Sequence, residues 1–259
     1  MSTIDYAGRA VVVTGGTRGI GAGIARAFLA AGADVLVCGR TAPGDGLPAA
    51  GGRQAAFARA DVRDPAQAQQ LISEAAGRFG RLDVVVNNAG GSPYADAATA
   101  SPRFHAKVIE LNLIAPLHVA QAANVLMQGQ PGGGSIVMIG SVSGVRPSPG
   151  TAAYGAAKAG LHSLAASLAV EWGPAVRVNS VVAGAVATEA GAAEHFGDAS
   201  TQAAVGATVP LGRMATPADI AGACLFLGSA LAAYVSGAAL LVHGGGERPA
   251  YLAAVEGAG

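Results

Sequence analysis

The sequence predicts an α/β protein, in which a doubly wound, parallel β-sheet of about seven strands carries helices on both faces. Short apolar runs rich in β-branched residues alternate with longer alanine-rich segments along the whole chain. The short runs are apolar on both faces, which is typical of parallel strands that are buried on both sides. No linker or internal repeat interrupts this order, so we expect a single domain over residues 1–259, built with right-handed crossovers.

Seven strands and five helices follow from this alternation. The strands are predicted at residues 10–14, 34–38, 54–60, 82–87, 135–140, 176–182 and 238–242. The helices are predicted at residues 19–31, 65–78, about 103–128, 152–172 and 217–228. Pro65 after Asp64, and Pro217 after Thr216, combine a capping side chain with a proline in the first turn, which indicates two helix N-termini.

Two segments lack a clear helix or strand pattern. Residues 42–52 are rich in Gly, Pro and Ala and are predicted to form a surface loop. Residues 187–216 are predicted to form a mobile insertion over an edge of the sheet, since long structured insertions of this kind often serve as lids.

The composition argues against several classes of protein. Lys plus Arg number 16 and Asp plus Glu number 16, so the basic excess that a nucleic-acid partner requires is missing. The hydrophobic fraction of 51% excludes a disordered chain. Cys38 and Cys224 each lie in an apolar run, which excludes a disulfide framework and favours a reducing cytoplasm. Residues 220–246 carry no charged side chain, but glycines and serines interrupt them, so a helix and a strand are predicted rather than a membrane span.

The first predicted strand runs into the glycine-rich turn Thr14-Gly-Gly-Thr-Arg-Gly-Ile-Gly21, and a helix follows. Free N–H groups and the dipole at a helix N-terminus favour a pyrophosphate. A plain strand-to-helix turn is the simpler alternative. The position at the first strand–helix junction of a doubly wound sheet favours the phosphate site.

Four further motifs follow in order: Asn87-Asn88-Ala89-Gly90 after the fourth strand, Asn112, Ser141 after the fifth strand, and Tyr154-x-x-x-Lys158. Together with the glycine-rich turn, they closely resemble the short-chain dehydrogenase/reductase family, from about residue 8 to residue 246. Its 3-oxoacyl reductases and hydroxysteroid dehydrogenases are the most similar members. The resemblance implies a Rossmann-type fold, an NAD(P) cofactor, and interconversion of a ketone and a secondary alcohol.

The chemistry of these motifs can be argued from the residues. Tyr154 and Lys158 are four residues apart on one helix, so they share a face, and a nearby ammonium favours the phenolate. Tyr154 is therefore a candidate proton donor in reduction and acceptor in oxidation. Ser141 follows a strand at the edge where such sheets bind ligands, and its hydroxyl is suited to holding the substrate oxygen. A plain helix-surface pair, a turn-capping role for Ser141, and Ser143 as the hydroxyl are the alternatives. The resemblance implies that Lys158 also binds the nicotinamide ribose and that Asn112 holds a water in a proton relay.

The cofactor preference is inferred from the end of the second strand. NAD-preferring relatives carry an acid there for the ribose 2′-hydroxyl, whereas this chain has Arg40 and no acid. Arg18 and Arg40 together suit a 2′-phosphate, unless they point to solvent. NADP(H) is therefore favoured, with NAD(H) as the alternative. The resemblance implies that Asp61 meets the adenine amino group and that Val62 packs on the ring, while a turn cap is the competing role for Asp61.

The cofactor contacts that the resemblance implies are Gly15, Thr17, Arg18, Gly19, Ile20, Gly21, Arg40, Asp61, Val62, Asn88, Ala89, Gly90, Tyr154, Lys158, Gly184, Val186 and Thr188. No metal ligands are predicted. The sequence departs from the usual pattern after the sixth strand, where Ala183 stands in place of a common proline. It departs again at His243, which stands in place of a common Asp and for which a structural role near a subunit contact is expected.

The substrate is expected to be an apolar ketone or alcohol, because the predicted lid carries few charges and Pro93, Tyr94, Val142 and Pro147 are expected to border the pocket. Residues 128–135 and 171–176 contain no Lys or Arg, which argues against a carrier-protein substrate but leaves an acyl thioester open. The alternatives are an NAD-dependent hydroxysteroid or hydroxyacyl-CoA dehydrogenase, or a non-catalytic dinucleotide-binding protein.

A homo-oligomer, either a tetramer or a dimer, is also predicted. The helix at residues 152–172 is small or apolar on nearly every side, so part of its surface is expected to pack against another subunit. Residues 247–259 extend past the family core and are expected to reach a neighbouring subunit. No membrane partner is expected.

Overall fold

The structure is a computed structural model that describes residues 4–188, 196–247, 249, 251 and 252. Seven parallel strands form its main sheet, in the order β5-β2-β1-β6-β7-β8-β9. These strands are β1 (Ala10–Thr14), β2 (Asp34–Gly39), β5 (Ala56–Arg59), β6 (Val84–Asn87), β7 (Gly134–Ser141), β8 (Val176–Ala183) and β9 (Ala239–Val242). The chain runs outward from β1 through β2 to β5, crosses to β6, and then runs outward the other way to β9. The predicted doubly wound fold is thereby confirmed, with its switch point between β1 and β6.

Seven helices surround the sheet in the described part of the chain. They are α1 (Gly19–Ala30), α2 (Pro65–Phe79), α3 (Pro102–Ile109), α4 (Ala115–Gln128), α5 (Ala152–Trp172), α6 (Ala199–Thr208) and α7 (Pro217–Gly228). Val11 and Val13 of β1 face one buried cluster, which α1 and α7 complete, whereas Val12 faces a second cluster with α2, α4 and α5. This alternation explains why the strands are apolar on both faces.

The predicted helix at residues 103–128 is interrupted. After α3, residues Glu110–Ile114 form a π-helical turn, in which the N–H of Ala115 donates to the carbonyl of Glu110. Pro116 follows in the first turn of α4 and has no N–H for the preceding turn, which disfavours a continuous α-helix. Such π-turns frequently occur at functional sites, and this one carries Asn112.

The predicted strand at residues 54–60 is shorter than expected. Only Ala56–Arg59 joins the main sheet, while Arg53–Gln54 (β4) pairs with Ala49–Ala50 (β3) in a small antiparallel ribbon. The predicted loop at residues 42–52 therefore contains a strand. Gly51 and Gly52 have φ of +59° and +73°, which suits the tight hairpin turn between β3 and β4.

The segment that leads to α7 includes part of the predicted lid. Its described portion contains α6, whose N-terminus is capped by the side chain of Asp198. It returns to the sheet where Val186 bridges to Ala215. Residues 189–195 of the predicted lid lie outside the described residues, as do residues 248, 250 and 253–259 of the predicted C-terminal extension. The mobility of the lid stays a prediction.

Both predicted proline-containing helix starts are present. The side chain of Asp64 caps α2, and Thr216 with Asp219 forms a capping box on α7. Within the described ranges, no helix has both the length and the apolar character needed to cross a membrane.

Candidate active site

The glycine-rich turn lies at the switch point of the sheet and fits a dinucleotide. Gly15 has φ of +62°, and a Cβ added there would lie 3.1 Å from the Cα of Ala89. A Cβ at Gly21 would collide with the carbonyl oxygen of Gly15, so both positions require glycine. Arg18 occupies the N-cap of α1 and provides no side-chain cap. The first turn of α1 thus keeps N–H groups for an anion, which is the cradle that a pyrophosphate needs.

Asn88 holds this turn in place. Its Nδ2 donates to the carbonyls of Thr14 (2.9 Å) and Gly15 (3.2 Å). The hydroxyl of Thr14 accepts from the N–H groups of Asn88 and Ala89, at 3.0 Å each. Asn88, which is predicted to contact the cofactor, therefore also holds the glycine-rich turn in its conformation. The sequence analysis did not assign a role to Thr14, although a hydroxyl residue at the end of β1 was visible in the motif.

Asn112 ties the π-turn to the loop after β6. Its Oδ1 accepts from the N–H of Gly91, and its Nδ2 donates to the carbonyls of Gly91 and Val108, all at 2.9 Å. A Cβ at Gly90 would lie 2.7 Å from Oδ1 of Asn112 and 3.3 Å from Nζ of Lys158. Gly90, Asn112 and Lys158 therefore meet at one point.

Tyr154 and Lys158 lie on α5 at the carboxyl edge of β7. Nζ of Lys158 donates to the carbonyl of Ile139 at 2.8 Å and lies 5.5 Å from the centre of the Tyr154 ring. Burial lowers the pKa of Lys158 to about 8. The partner that a buried ammonium requires is thus a carbonyl of β7.

The protonation of Tyr154 differs from the expectation. Burial raises the pKa of its phenol, and a hydrogen bond with the Ser141 hydroxyl opposes this rise. The prediction that Lys158 lowers this pKa below its usual value was wrong for this structure. The physical reason is that Nζ of Lys158 bonds to Ile139 and that loss of water around the phenol is the larger effect.

Ser141 ends β7 and also caps the following turn. Its hydroxyl accepts from the N–H of Ser143 at 3.2 Å, at the start of the 3₁₀ turn Val142–Gly144. The capping alternative is therefore present, and the same hydroxyl also lowers the pKa of Tyr154 against the effect of burial. The carbonyl of Ser143 packs against α5 at Gly155, where an added Cβ would lie 2.7 Å from it.

The cofactor-preference residues occupy the other side of the glycine-rich turn. A Cβ at Gly39, at the end of β2, would lie 3.6 Å from the hydroxyl of Thr17. Arg18 and Arg40 are exposed, and neither forms an ion pair with a described residue. Two unpaired guanidinium groups near this strand end are compatible with a 2′-phosphate.

Asp61 is held by a neighbour that the sequence analysis did not consider. The side chain of Arg63 donates from Nε and Nη2 to the Asp61 carboxylate, and the backbone N–H of Arg63 donates to it at 3.1 Å. These hydrogen bonds hold the pKa of Asp61 below its usual value. Asp61 is thus a turn cap in this structure, and its contact with adenine stays a prediction, as does the packing of the buried Val62.

The strand β8 leads to the remaining predicted contacts. The N–H of Gly184 donates to the carbonyl of Val242 at 3.0 Å, and a Cβ at Gly184 would lie 2.9 Å from the Cα of His243. A Cβ at Gly19, the first residue of α1 after Arg18 and before Ile20, would lie 3.7 Å from Thr188. The segment after β8 therefore crosses close to the glycine-rich turn.

The rim of the cleft is formed by two loops in contact. The ring of Tyr94 packs on Gly150, and the N–H of Ala95 donates to the carbonyl of Gly150 at 2.8 Å. Arg146 of the same loop pairs with Glu247. In the described ranges, no group of three or more His, Cys, Asp or Glu side chains is arranged to hold a metal ion.

The geometry therefore defines a class of protein: a dinucleotide site at the switch point of a doubly wound sheet, with a buried lysine and a partly buried tyrosine and serine beside it. Comparison with known proteins agrees. A family model described as enoyl-(acyl carrier protein) reductase matches residues 15–247. The L-rhamnose 1-dehydrogenase (NAD(P)(+)) of Sphingomonas sp. (strain SKA58) is 38% identical over 247 residues, which cover 92% of this chain and 96% of that protein.

Two further relatives extend the comparison. The 3-oxoacyl-(acyl-carrier-protein) reductase of Chlamydia muridarum (strain MoPn / Nigg) is 36% identical over 250 residues, covering 92% of this chain and 96% of that protein. The ligand-free aldohexose dehydrogenase of Thermoplasma acidophilum matches with a TM-score of 0.85 and 27% identity, over 93% of this chain and 94% of that one. The chain belongs to the short-chain dehydrogenase/reductase family, whose members bind NAD(P), and it is an oxidoreductase.

Proposed function

We propose that the enzyme uses NADP(H) to interconvert a ketone and a secondary alcohol on an apolar small molecule or an acyl thioester. The observation that carries this proposal is the convergence of three side chains at one strand end. Ser141 ends β7, and Nζ of Lys158 donates to the carbonyl of Ile139 in the same strand. The ring of Tyr154 lies 5.5 Å from that Nζ.

Hydride transfer, proton transfer and orientation of the substrate oxygen are assigned to different groups of the site. The nicotinamide supplies a hydride in reduction and accepts one in oxidation. Oη of Tyr154 donates a proton to the developing alkoxide in reduction and accepts it back in oxidation. The hydroxyl of Ser141 orients the substrate oxygen. The raised pKa keeps the phenol protonated at neutral pH, which suits a proton donor.

Lys158 and Asn112 support this proton transfer. The ammonium of Lys158 stabilises negative charge near the phenol and binds the ribose, while Asn112 holds a water in the relay. Gly90 supports this assignment, because the approach of Asn112 and Lys158 to its Cα leaves no room for a side chain. The glycine-rich turn, Val186 and Thr188 hold the dinucleotide.

The preference for NADP(H) is supported by charge at the end of β2. Arg18 and Arg40 are exposed and free of ion pairs with described residues. No acid is present there to hold a 2′-hydroxyl. Charge-assisted bonds from arginine to a phosphate are about twice as strong as neutral ones, so the phosphorylated cofactor gains most at this position.

The apolar substrate is supported by the apolar character of Pro93, Tyr94, Val142 and Pro147, which are expected to border the pocket. Two of the relatives above are named as sugar dehydrogenases and one as an acyl-carrier reductase. A panel of apolar ketones, acyl thioesters and aldoses, each measured with NADPH and NADH by absorbance of the reduced nicotinamide, tests the proposal. We expect the highest kcat/KM for an apolar ketone or thioester with NADPH, whereas a clear preference for aldoses would contradict the proposed substrate class.

We also propose a cytoplasmic homodimer or homotetramer without a nucleic-acid partner. The outward stripe of α5 supports this assembly, because it consists of small side chains that the rest of the chain leaves exposed. They are Ala152, Ala156, Ala159, Ser163 and Ala166.

A further inference from the structure

The helix α5 presents a third polar residue behind the catalytic pair. Tyr154, Lys158 and His162 follow one another at four-residue intervals, so they share one face of the helix. Lys158 bonds to the carbonyl of Ile139, and the ring of His162 contacts the next residue of β7, Gly140. His162 therefore lies directly beneath the turn that begins at Ser141.

Two glycines make room for the imidazole ring. A Cβ at Gly140 would collide with Nε2 of His162, and a Cβ at Gly144 would lie 3.0 Å from its Cε1. Gly140 precedes Ser141, and Gly144 ends the 3₁₀ turn that Ser141 caps. The ring thus contacts the chain on both sides of the catalytic hydroxyl.

The imidazole is poorly suited to carry a charge at this position. Nε2 is buried and has no hydrogen-bond partner among the described residues. Buried polar atoms of this kind are rare in native proteins and call for an explanation. Burial and the nearby ammonium of Lys158 both lower the pKa of His162.

The strand and turn that contact His162 carry no carboxylate that would stabilise an imidazolium. On its own helix, the titratable groups of the same face are Tyr154 and Lys158. The segments it contacts, β7 and Val142–Gly144, offer only serine hydroxyls as polar side chains. On the neighbouring strand β8, the only charged side chain is that of Arg177, which bonds to carbonyls after α7. The two other elements that pack on α5, which are α3 and the π-turn, carry the titratable side chains Arg103, His105, Lys107 and Glu110.

We propose that neutral His162 is a positioning residue that holds the Ser141 turn against α5, and that its protonation stops turnover because the charged ring leaves this position. This inference rests on the proposed function of Ser141 and Lys158. The neutral ring fills the space between Gly140 and Gly144. The imidazolium needs solvent, so it leaves this space, and the turn that carries the Ser141 hydroxyl loses its support.

The first test measures the charge coupling without turnover. In the full chain without added cofactor, the ring resonances of His162 are followed by NMR against pH. We expect the pKa of His162 to lie below the usual 6.5 and to rise in Lys158→Met, since the variant removes the positive charge. A pKa of His162 at or above 6.5 in the unmodified protein would overturn the inference, even if the variant does not fold.

The second test compares pH profiles of kcat and KM for the unmodified enzyme, His162→Gln and the matched control His118→Gln. His118 lies on α4 and is not part of the site. We expect kcat of the unmodified enzyme to fall about tenfold for each pH unit below the pKa of His162. In His162→Gln we expect the acidic fall to disappear and kcat at pH 7.5 to drop about tenfold, as misplacement of a catalytic group does, with little change in KM.

The outcomes separate this inference from the proposed function. A His162→Gln enzyme with the same kcat and the same acidic fall as His118→Gln would overturn the role of His162 alone. Tyr154→Phe is measured beside it, and retention of turnover in that variant would instead overturn the proposed function. Thermal unfolding of each variant checks that the fold is intact.

Discussion

At the scale of one residue, Lys158 lowers the stability of the fold in a way that its proposed chemical role explains. It is the buried cation of α5, and its ammonium is compensated by one carbonyl rather than by a carboxylate. The fall of its pKa from 10.5 to about 8 corresponds to about 3 kcal/mol of destabilisation at neutral pH. Burial of this charge therefore opposes folding, and only a functional role explains why a lysine stands there.

Replacement of the charge is expected to stabilise the fold. Lys158→Met keeps the length of the side chain without the ammonium, so we expect a higher melting temperature at pH 7 together with a loss of turnover. Between pH 8 and 10.5 the unfolded chain binds more protons at Lys158 than the native one, so the stability of the unmodified protein rises with pH relative to the variant. Thermal melts at pH 7 and pH 10 measure this. A variant less stable than the unmodified protein at pH 7 would contradict the account.

Cofactor preference also depends on single residues. Arg40→Ala removes one guanidinium from the proposed 2′-phosphate site, and a lost charge-assisted bond is worth about 1.5–3 kcal/mol. We expect NADPH to bind about 10- to 100-fold more weakly, while NADH binding stays unchanged. Arg26→Ala, an exposed arginine on α1, serves as the control in fluorescence titrations. Equal affinity of the unmodified protein for both cofactors would refute the premise.

At the scale of helices and strands, α5 serves two proposed functions. Its inner face carries the proposed catalytic pair, and its outer stripe of small side chains is exposed among the described residues. The prediction from the sequence that this helix is buried on all sides thus requires a second subunit. A helix face of small side chains, such as this stripe, allows a second helix to approach closely.

A charge within this stripe is expected to disrupt the assembly. Ala159→Glu places a carboxylate in the proposed contact, so we expect the mass measured by light scattering to fall from that of a dimer or tetramer toward that of a monomer. Gln70→Glu, which adds a charge at an exposed position of α2, is the control. A monomeric mass for the unmodified protein at micromolar concentration would contradict the proposed oligomer.

The elements that could be predicted from sequence are those fixed by local patterns. Alternating apolar runs located the strands, and capping residues with prolines located the starts of α2 and α7. The π-turn at Glu110–Ile114 was not predicted, although Pro116 was visible in the sequence, and the bonds of Asn112 with Gly91 could not be seen because the two residues are distant in sequence. The β3–β4 ribbon was missed because the turn of two glycines was interpreted as a plain loop.

The same division applies to the site. Its motifs predicted Ser141, Tyr154 and Lys158, since each lies at a fixed spacing or at a strand end, and the structure brings these three residues to the end of β7. Other features could not be predicted because they depend on contacts in the folded chain. They are the hydrogen bonds of the Thr14 hydroxyl, the ion pair of Arg63 with Asp61, and the position of His162. The protonation of Tyr154 was predicted in the wrong direction because burial can be measured only in the folded chain.

At the scale of the whole molecule, the sheet topology brings the two halves of the site together. The strand order reverses between β1 and β6, so the glycine-rich turn after β1 and the Asn88 loop after β6 meet at the same edge. The strands β7 and β8 add Ser141 and the segment at Gly184 to that edge. The proposed sites for the dinucleotide and the substrate thereby lie on different strands of one sheet.

The central claim, that Tyr154 transfers the proton, is tested most directly by the turnover of Tyr154→Phe on the best substrate of the panel. The variant keeps the partly buried ring and removes the hydroxyl, so the fold and the cofactor affinity are expected to change little. General acid–base groups contribute about 10²–10⁴-fold, and we expect kcat to fall by at least this order. Tyr234→Phe, at a fully exposed tyrosine, is expected to keep normal turnover. Near-normal kcat in Tyr154→Phe would contradict the account.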